Sequence, residues 1–391
     1  MNKNNGDYLF KVGADDKNVY ILQKGSYRIY LKSQEEDKEF PLFPINESGI
    51  IMGIVESILN IKRLTSLKVT SDTGEFMPIP LGGKNILETV FNNPKLGLQL
   101  SINLALFLKE TNSKLTELSK TLNGIRATTN ELCLNFYECC ESISELNEKF
   151  KFPWLKAIYD QAKQNLIYKY GLSAKSGKDV LEEMVEMKKN ELKVEKENIE
   201  NAASKVYKAG EVLCNEGEIG KEMYILLDGE LSVWVNNNKV AEITKKGEII
   251  GEIAVLLGIK TKTFEKRTAT LKIKKDAKIV SMPSDKIVDI ICRDPKIIVH
   301  TIKTLAERSP ESCSKVADMY EKMDKAVSLM NPRASTSSTC PKAFMQLQSL
   351  IEQKANDKEK VKDILNRLYS LIEKSKEEYN KHSTVYETLL Q

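Results

Sequence analysis

Two short stretches of this 391-residue chain carry side chains suited to holding an anion. Gly251-Glu252-Ile253-Ala254 ends an apolar run, and Arg267-Thr268-Ala269 opens the next one. Either charge alone is most often a solvated surface residue; the pair, in order and close together, suggests more. A turn with outward-facing backbone N–H groups makes an anion cradle, and an arginine reaching into it adds a planar, permanently charged fork that matches phosphate oxygens. An ionised glutamate only accepts hydrogen bonds, so it repels phosphate but suits a neighbouring hydroxyl such as a ribose 2′-OH. Phosphate beside a ribose hydroxyl implies a nucleotide.

The elements that would position these residues occur twice. Residues 6–31, GDYLFKVGADDKNVYILQKGSYRIYL, lie without gaps on 210–235, GEVLCNEGEIGKEMYILLDGELSVWV, pairing Gly6 with Gly210, Gly13 with Gly217, Tyr20 with Tyr224 and Gly25 with Gly229. Farther on, 47–60 lies on 245–258 and RLTSLKV (63–69) on RTATLKI (267–273), after which 92–115 and 293–316 share a Pro-Lys start and helical apolar spacing. A repeat this long changes the reading of the whole chain. Alternating runs such as MYILLDGELSVWV, the Asn236-Asn237-Asn238 turn and KVAEI suit half-buried strands joined by a tight hairpin. Many short strands between glycines suggest a small antiparallel barrel or jelly roll.

The fold class expected is therefore α+β: two antiparallel β-roll domains, each followed by helices, with a helical connector and a helical C-terminus. The domains fall at 1–125, 126–204, 205–325 and 326–391. Helical apolar spacing marks 84–125, 126–170 and 178–206, the last so rich in Glu and Lys that it reads as a solvated helix. A Pro, Ser and Thr cluster at 331–341 reads as a loop before helices from about 342 to 390.

Composition narrows the function classes. Lys+Arg 59 against Asp+Glu 55 gives a net charge of +4, with both signs mixed along the chain. Nothing resembles the basic stripe of a nucleic-acid binder. Seven cysteines without a CxxC pair point to free thiols in a reducing compartment, and Cys139 and Cys140 read as helix residues. His300 and His382 stand far apart without metal-ligand companions, so neither a zinc site nor a histidine-based triad is expected. No apolar run reaches the roughly 18 residues that span a bilayer, and the first ten residues lack a signal-peptide core. The chain reads as cytosolic.

The second repeat resembles the cyclic nucleotide-binding domain family, the β-roll of catabolite activator proteins, cyclic-nucleotide-dependent kinases and gated channels. The resemblance rests on Gly210, Glu211, Gly217, Gly220, Met223, Tyr224 and Gly229, then Gly251, Glu252, Ala254, Arg267, Thr268 and Ala269, over about 205–310. It implies that Arg267 holds the cyclic phosphate, Glu252 the ribose 2′-hydroxyl, and the backbone around Gly251, Ile253 and Ala254 the remaining oxygens. It implies cAMP or cGMP as ligand. Thr268 stands where relatives that prefer cGMP contact guanine, although some cAMP receptors also carry Ser or Thr there. One neutral hydrogen bond contributes about 0.5–1.5 kcal/mol, enough to tilt that choice and not to fix it. The chain departs from the family in IKTKTFEK (259–266), a loop longer than the usual compact cassette.

The first repeat keeps Gly53 and Arg63 but has Ile54 where Glu252 stands and Leu64 where Thr268 stands. It reads as a degenerate, structural copy, with Arg63 at the surface and Glu56 facing elsewhere. The tail from 311 shows amphipathic interaction helices rather than a helix-turn-helix, and no catalytic segment is visible. The expectation is a non-enzymatic receptor that regulates a protein partner, with the helices after each roll as candidate dimerisation surfaces, no DNA and no membrane. The alternatives are an interaction scaffold without ligand and an atypical transcription regulator.

Overall fold

The computed structural model describes residues 1–33, 37–79, 85–183, 204–334 and 338–391. The fold is α+β, with antiparallel sheets followed by long helices. Of the described residues, one compact unit takes 1–32, 37–114 and 204–315, and the other takes Ser33, 115–183 and 316–391.

In the second repeat, strands Glu222–Val235 and Thr270–Pro283 pair along most of their length, flanked by Val212–Cys214, Asn238–Ile243, Ile249–Ile250 and Ser204–Tyr207. Register shifts around Asp228 and Glu230 bend the long pair, as bulges do by placing an unpaired residue in one strand. The turn into Asn238–Ile243 has Asn236 and Asn237 both at positive φ, 50° and 63°. That is the geometry a two-residue hairpin with right-twisted strands demands, and asparagine tolerates it.

The first repeat makes the equivalent pairings with shorter strands. Tyr20–Lys24 pairs with Thr73–Pro78 and with Ile51–Met52, and Tyr27–Lys32 pairs with Ser66–Val69 and Glu39–Ile45. Its backbone hydrogen bonds recur at the repeat offset. Gly13 N–H donates to Arg63 O at 2.8 Å, and Gly217 N–H to Arg267 O at 2.9 Å. Arg63 N–H donates to Ala14 O, and Arg267 N–H to Glu218 O. Within this unit one core takes apolar residues from both repeats, among them Val19, Ile51 and Leu104 with Met223, Ile225, Ile298 and Ile302. Fully burying each such side chain contributes about 1.5–3 kcal/mol, so the two repeats stabilise each other.

The helices differ from expectation at one boundary. Instead of ending near 125, a single helix runs Pro94–Phe150. Pro94 sits at its first position, where a missing N–H costs nothing, and the mid-helix Gly124 is outweighed by the buried Leu118, Leu122, Ile125, Leu132 and Phe136. Lys151 at φ 55° and the Pro153 that starts the next helix mark its end. The Glu- and Lys-rich segment expected as a helix falls, from 184 to 203, outside the described residues. The C-terminal region is helical as expected, with Cys340–Lys354 and Lys362–Leu390. Among the described residues no helix is long and apolar enough to cross a membrane.

Candidate nucleotide site

Strand Ile249–Ile250 delivers the chain to Gly251, which has φ 73° and caps the helix Glu252–Thr261. A side chain there would be strained by that φ and would meet the Arg267 Nη1 atom at 2.4 Å. Glycine is required on both counts. The first N–H groups of the helix have no partner within it, which leaves a partial positive charge at that end.

Arg267 lies against this turn and is 6% exposed. Its Nη1 donates to Gly251 O at 2.9 Å and its Nη2 to Glu222 O at 2.6 Å, with Tyr224 Oη at 3.4 Å. The guanidinium carbon sits 5.2 Å from the Tyr224 ring centroid. Burial pushes the Tyr224 phenol well above its ordinary range, although Arg267 pulls the other way. The Arg267 Nε is buried with no hydrogen-bond partner. A buried donor left unmet costs about 1–3 kcal/mol, and the Nε and Nη1 of Arg63 in the first repeat are unmet in the same way. Gly220 packs across from Arg267: a side chain there would meet the Ala254 Cβ at 2.6 Å and approach the Arg267 guanidinium at 3.5 Å. Gly220 and Ala254 together keep the space beside the arginine small-sided.

Glu252 is 1% exposed, and its carboxylate is already engaged. Arg308, on the helix Pro295–Met330, donates from Nη1 to Glu252 Oε1 at 2.7 Å and from Nη2 to Glu248 Oε1 at 3.1 Å and Ile249 O at 2.6 Å. Burial works against the Arg308 charge, yet the two glutamates hold its pKa above the ordinary arginine value. Ile253 is half-buried, Ala254 buried and Thr268 exposed. The structure thus brings Gly251, Ala254 and Arg267 together, places Glu252 beside them in an ion pair, and leaves Thr268 at the surface. Arg308 was not legible in sequence, because its partner is 56 residues away and nothing in its own surroundings marks it.

The 259–266 segment is partly helical. The helix Glu252–Thr261 has ten residues against six for Ile54–Leu59 in the first repeat, and Lys262 at φ 57° ends it. The remainder returns along residues 218–220, with Gly220 N–H donating to Glu265 O at 2.9 Å and Ile219 bridging Lys266.

Residues 204–294 match the family described as the cyclic nucleotide-binding domain. The chain is similar to the cyclic nucleotide-gated channel beta-3 of Canis lupus familiaris, at 33% identity over 94 residues, 24% of this chain and 12% of that one. The chain therefore spans about an eighth of that relative's length. Among solved structures, a cAMP-bound PfPKA-R matches 81% of this chain and 78% of its own, at 17% identity and a TM-score of 0.25. The regulatory domain of Toxoplasma gondii PKA with cAMP matches 80% and 85%, at 12% identity and a TM-score of 0.22.

The first repeat has its own arginine, and two expectations about it are corrected. Arg63 is 2% exposed rather than at the surface, and Glu56 is buried with its Oε2 3.6 Å from the Arg63 Nη1 rather than turned away. The reason is the helix Ile54–Leu59, whose first turn carries Glu56 back toward the strand that begins beyond Arg63. Its Oε1 accepts the Leu64 N–H at 3.0 Å.

Proposed function

We propose that the second repeat is a receptor for a cyclic nucleotide, cAMP or cGMP, and that ligand binding there regulates a protein partner through the helix Pro295–Met330. The observation that carries this reading is Arg267: a buried guanidinium whose hydrogen-bond partners are two carbonyls and a phenol rather than carboxylates, set against the N-terminus of the helix Glu252–Thr261. Such a helix end and a buried arginine both favour an anion, and together they suit one phosphate. Arg267 holds the cyclic phosphate, the backbone of Gly251, Ile253 and Ala254 lines it, Glu252 takes the ribose hydroxyl, and Thr268 lies toward the purine.

The same carboxylate offers a route for the signal. Glu252 is shared between the site and Arg308, so a ribose hydroxyl that draws on it changes the balance of the contact to the long helix. Pro310 follows two residues after Arg308 inside that helix. A proline there leaves the Ala306 carbonyl without its helical N–H, a place where a helix bends readily. Ligand can shift such an equilibrium only by binding the two arrangements differently. In this reading the chain divides at 1–125, 126–204, 205–325 and 326–391, acts without catalysis in the cytoplasm, and carries a first roll that is a degenerate copy.

Calorimetric titration of the full-length chain with cAMP and with cGMP tests the proposal. Saturable binding that Arg267→Ala weakens about tenfold or more is expected, since a charge-assisted hydrogen bond contributes about 1.5–3 kcal/mol. No heat and no thermal stabilisation with either nucleotide would refute it and leave an interaction scaffold.

A further inference from the structure

The two arginines of the repeats sit in matching frames and meet opposite chemistry. Arg63 Nη2 donates to Asn18 O at 2.6 Å, as Arg267 Nη2 donates to Glu222 O at the equivalent position. Each lies against a glycine at positive φ that caps a short helix, Gly53 at 84° and Gly251 at 73°. The frame is the same, so the side chains decide.

Two positions differ in the way that matters. Where the second repeat has Gly220, the first has Asp16; where the second has Ala254, the first has Glu56. In the second repeat these two small residues pack against each other beside Arg267. In the first, both are carboxylates and both face Arg63, Asp16 Oδ2 at 2.7 Å from Nη2 and Glu56 Oε2 at 3.6 Å from Nη1.

Asp16 is furnished as a bound anion would be. Its Oδ1 accepts the Asn18 N–H at 2.9 Å and the Asn18 side-chain amide at 2.8 Å, while its Oδ2 accepts the Tyr20 hydroxyl at 3.1 Å and the Arg63 guanidinium. Four donors of three chemical kinds, backbone N–H, neutral side chain and guanidinium, saturate one carboxylate. The equivalent tyrosine of the second repeat, Tyr224, turns its hydroxyl to Glu222 instead, at 3.0 Å. The Arg63 guanidinium also stacks over the Phe10 ring, 4.1 Å from its centroid, which closes the remaining face.

We propose that the first roll is a phosphate site occupied by the chain's own carboxylates, Asp16 and Glu56, so that it excludes nucleotide and the chain binds one cyclic nucleotide rather than two. The inference rests on the reading of the second repeat as the receptor only for that count. The occupied site itself stands on Arg63 and its partners. The first roll then keeps one arrangement at every nucleotide concentration and serves the second as a fixed packing partner through their common core.

The test restores the small residues of the second repeat. The full-length Asp16→Gly/Glu56→Ala variant is titrated with inorganic phosphate beside the wild type and beside the same variant carrying Arg63→Gln. Phosphate affinity about tenfold or more above wild type, abolished by Arg63→Gln, is expected from gaining one charge-assisted contact. A folded variant that gains no phosphate binding overturns the proposal. Should the double variant fail to fold, Asp16→Asn keeps the shape and removes the charge. Phosphate should then raise its melting temperature more than that of the wild type, and equal shifts overturn the proposal. Independently, wild type that binds two cyclic nucleotides per chain also overturns it. Wild type that binds none refutes the receptor reading while leaving the phosphate result to judge the first roll.

Discussion

The Glu252–Arg308 pair should be strongly asymmetric toward mutation. Glu252 is 2% exposed at its side chain and Arg308 31%. Arg308→Ala leaves a carboxylate in the interior without its cation, a situation that costs about 3–5 kcal/mol where burial is complete. Glu248, 21% exposed, loses the same partner at a cost of about 0–1 kcal/mol. Glu252→Gln is milder. The amide keeps the shape and an acceptor, and Arg308 retains Glu248, the Ile249 carbonyl and partial access to water. Its loss should be about 1 kcal/mol, in the range of one hydrogen bond. The double variant should then lose less than the sum by about 2 kcal/mol, because the buried charge that makes Arg308→Ala costly has gone. The chain has two tryptophans, Trp154 and Trp234, and only Trp234 lies in the second roll. In a Trp154→Phe background its fluorescence reports unfolding of that roll alone. With urea slopes of about 1–3 kcal/mol/M, Arg308→Ala should move the midpoint by about 1 M or more. Equal losses from the two single variants, or a coupling below about 0.5 kcal/mol, would refute the argument that Arg308 serves chiefly to neutralise Glu252.

Two further outcomes follow from other groups. Burial works against the Asp16 carboxylate, but the bonds from Arg63 and the Asn18 N–H outweigh it and hold its pKa below the usual value. A depressed carboxylate contributes stability that is present above its unfolded pKa and is lost as pH falls through the folded one. Melting temperatures taken from pH 6 down to pH 2.5 should therefore fall less steeply in Asp16→Asn than in wild type, and parallel curves would count against the pair. Of the seven cysteines only Cys292 is exposed, and burial raises the Cys139 thiol to about 11 and the Cys140 and Cys313 thiols further. A thiol reagent should label one cysteine quickly in native protein and the other six only after denaturation, since reaction needs an accessible thiolate. Two or more fast thiols would contradict the burial of the other six.

Much of this arrangement could be read from residue types alone, for identifiable reasons. The glycines at 53 and 251 announce themselves because few other residues adopt their φ, and the paired asparagines at 236–237 mark their hairpin in the same way. Periodic apolar residues revealed the helices, but not that 94–150 is unbroken, since a buried stripe carries a helix through Gly124 without any local signal. Charge was the least legible feature. Arg63 and Arg267 both open strands and look alike in sequence, and whether either is buried depends on packing from residues about 45 positions away. Arg308 lies on an amphipathic helix among other charged residues, and only the three-dimensional return of that helix to Glu248 and Glu252 gives it a role.

The comparison of the two arginines shows what the repeat offset can and cannot carry. Backbone hydrogen bonds recur from Gly13 to Gly217 and from Arg63 to Arg267 because they depend on turns that glycine permits, and these survive large changes in side chain. Ligand chemistry depends on what occupies a few ångströms beside the guanidinium. Exchanging glycine for aspartate at 16 and alanine for glutamate at 56 leaves the strands and the helix cap in place while placing two negative charges where an anion would go. A buried arginine tolerates the interior only with a counter-charge or ample hydrogen bonding. The first repeat provides the counter-charge from within the chain. The second surrounds Arg267 with neutral acceptors, the carbonyls of Gly251 and Glu222, while the Nε of both arginines, and the Nη1 of Arg63, lack a hydrogen-bond partner. If Asp16 and Glu56 occupy the first roll as proposed, Ile54 is not what closes it, because an arginine already paired with two carboxylates has little to offer a phosphate whatever residue stands at 54.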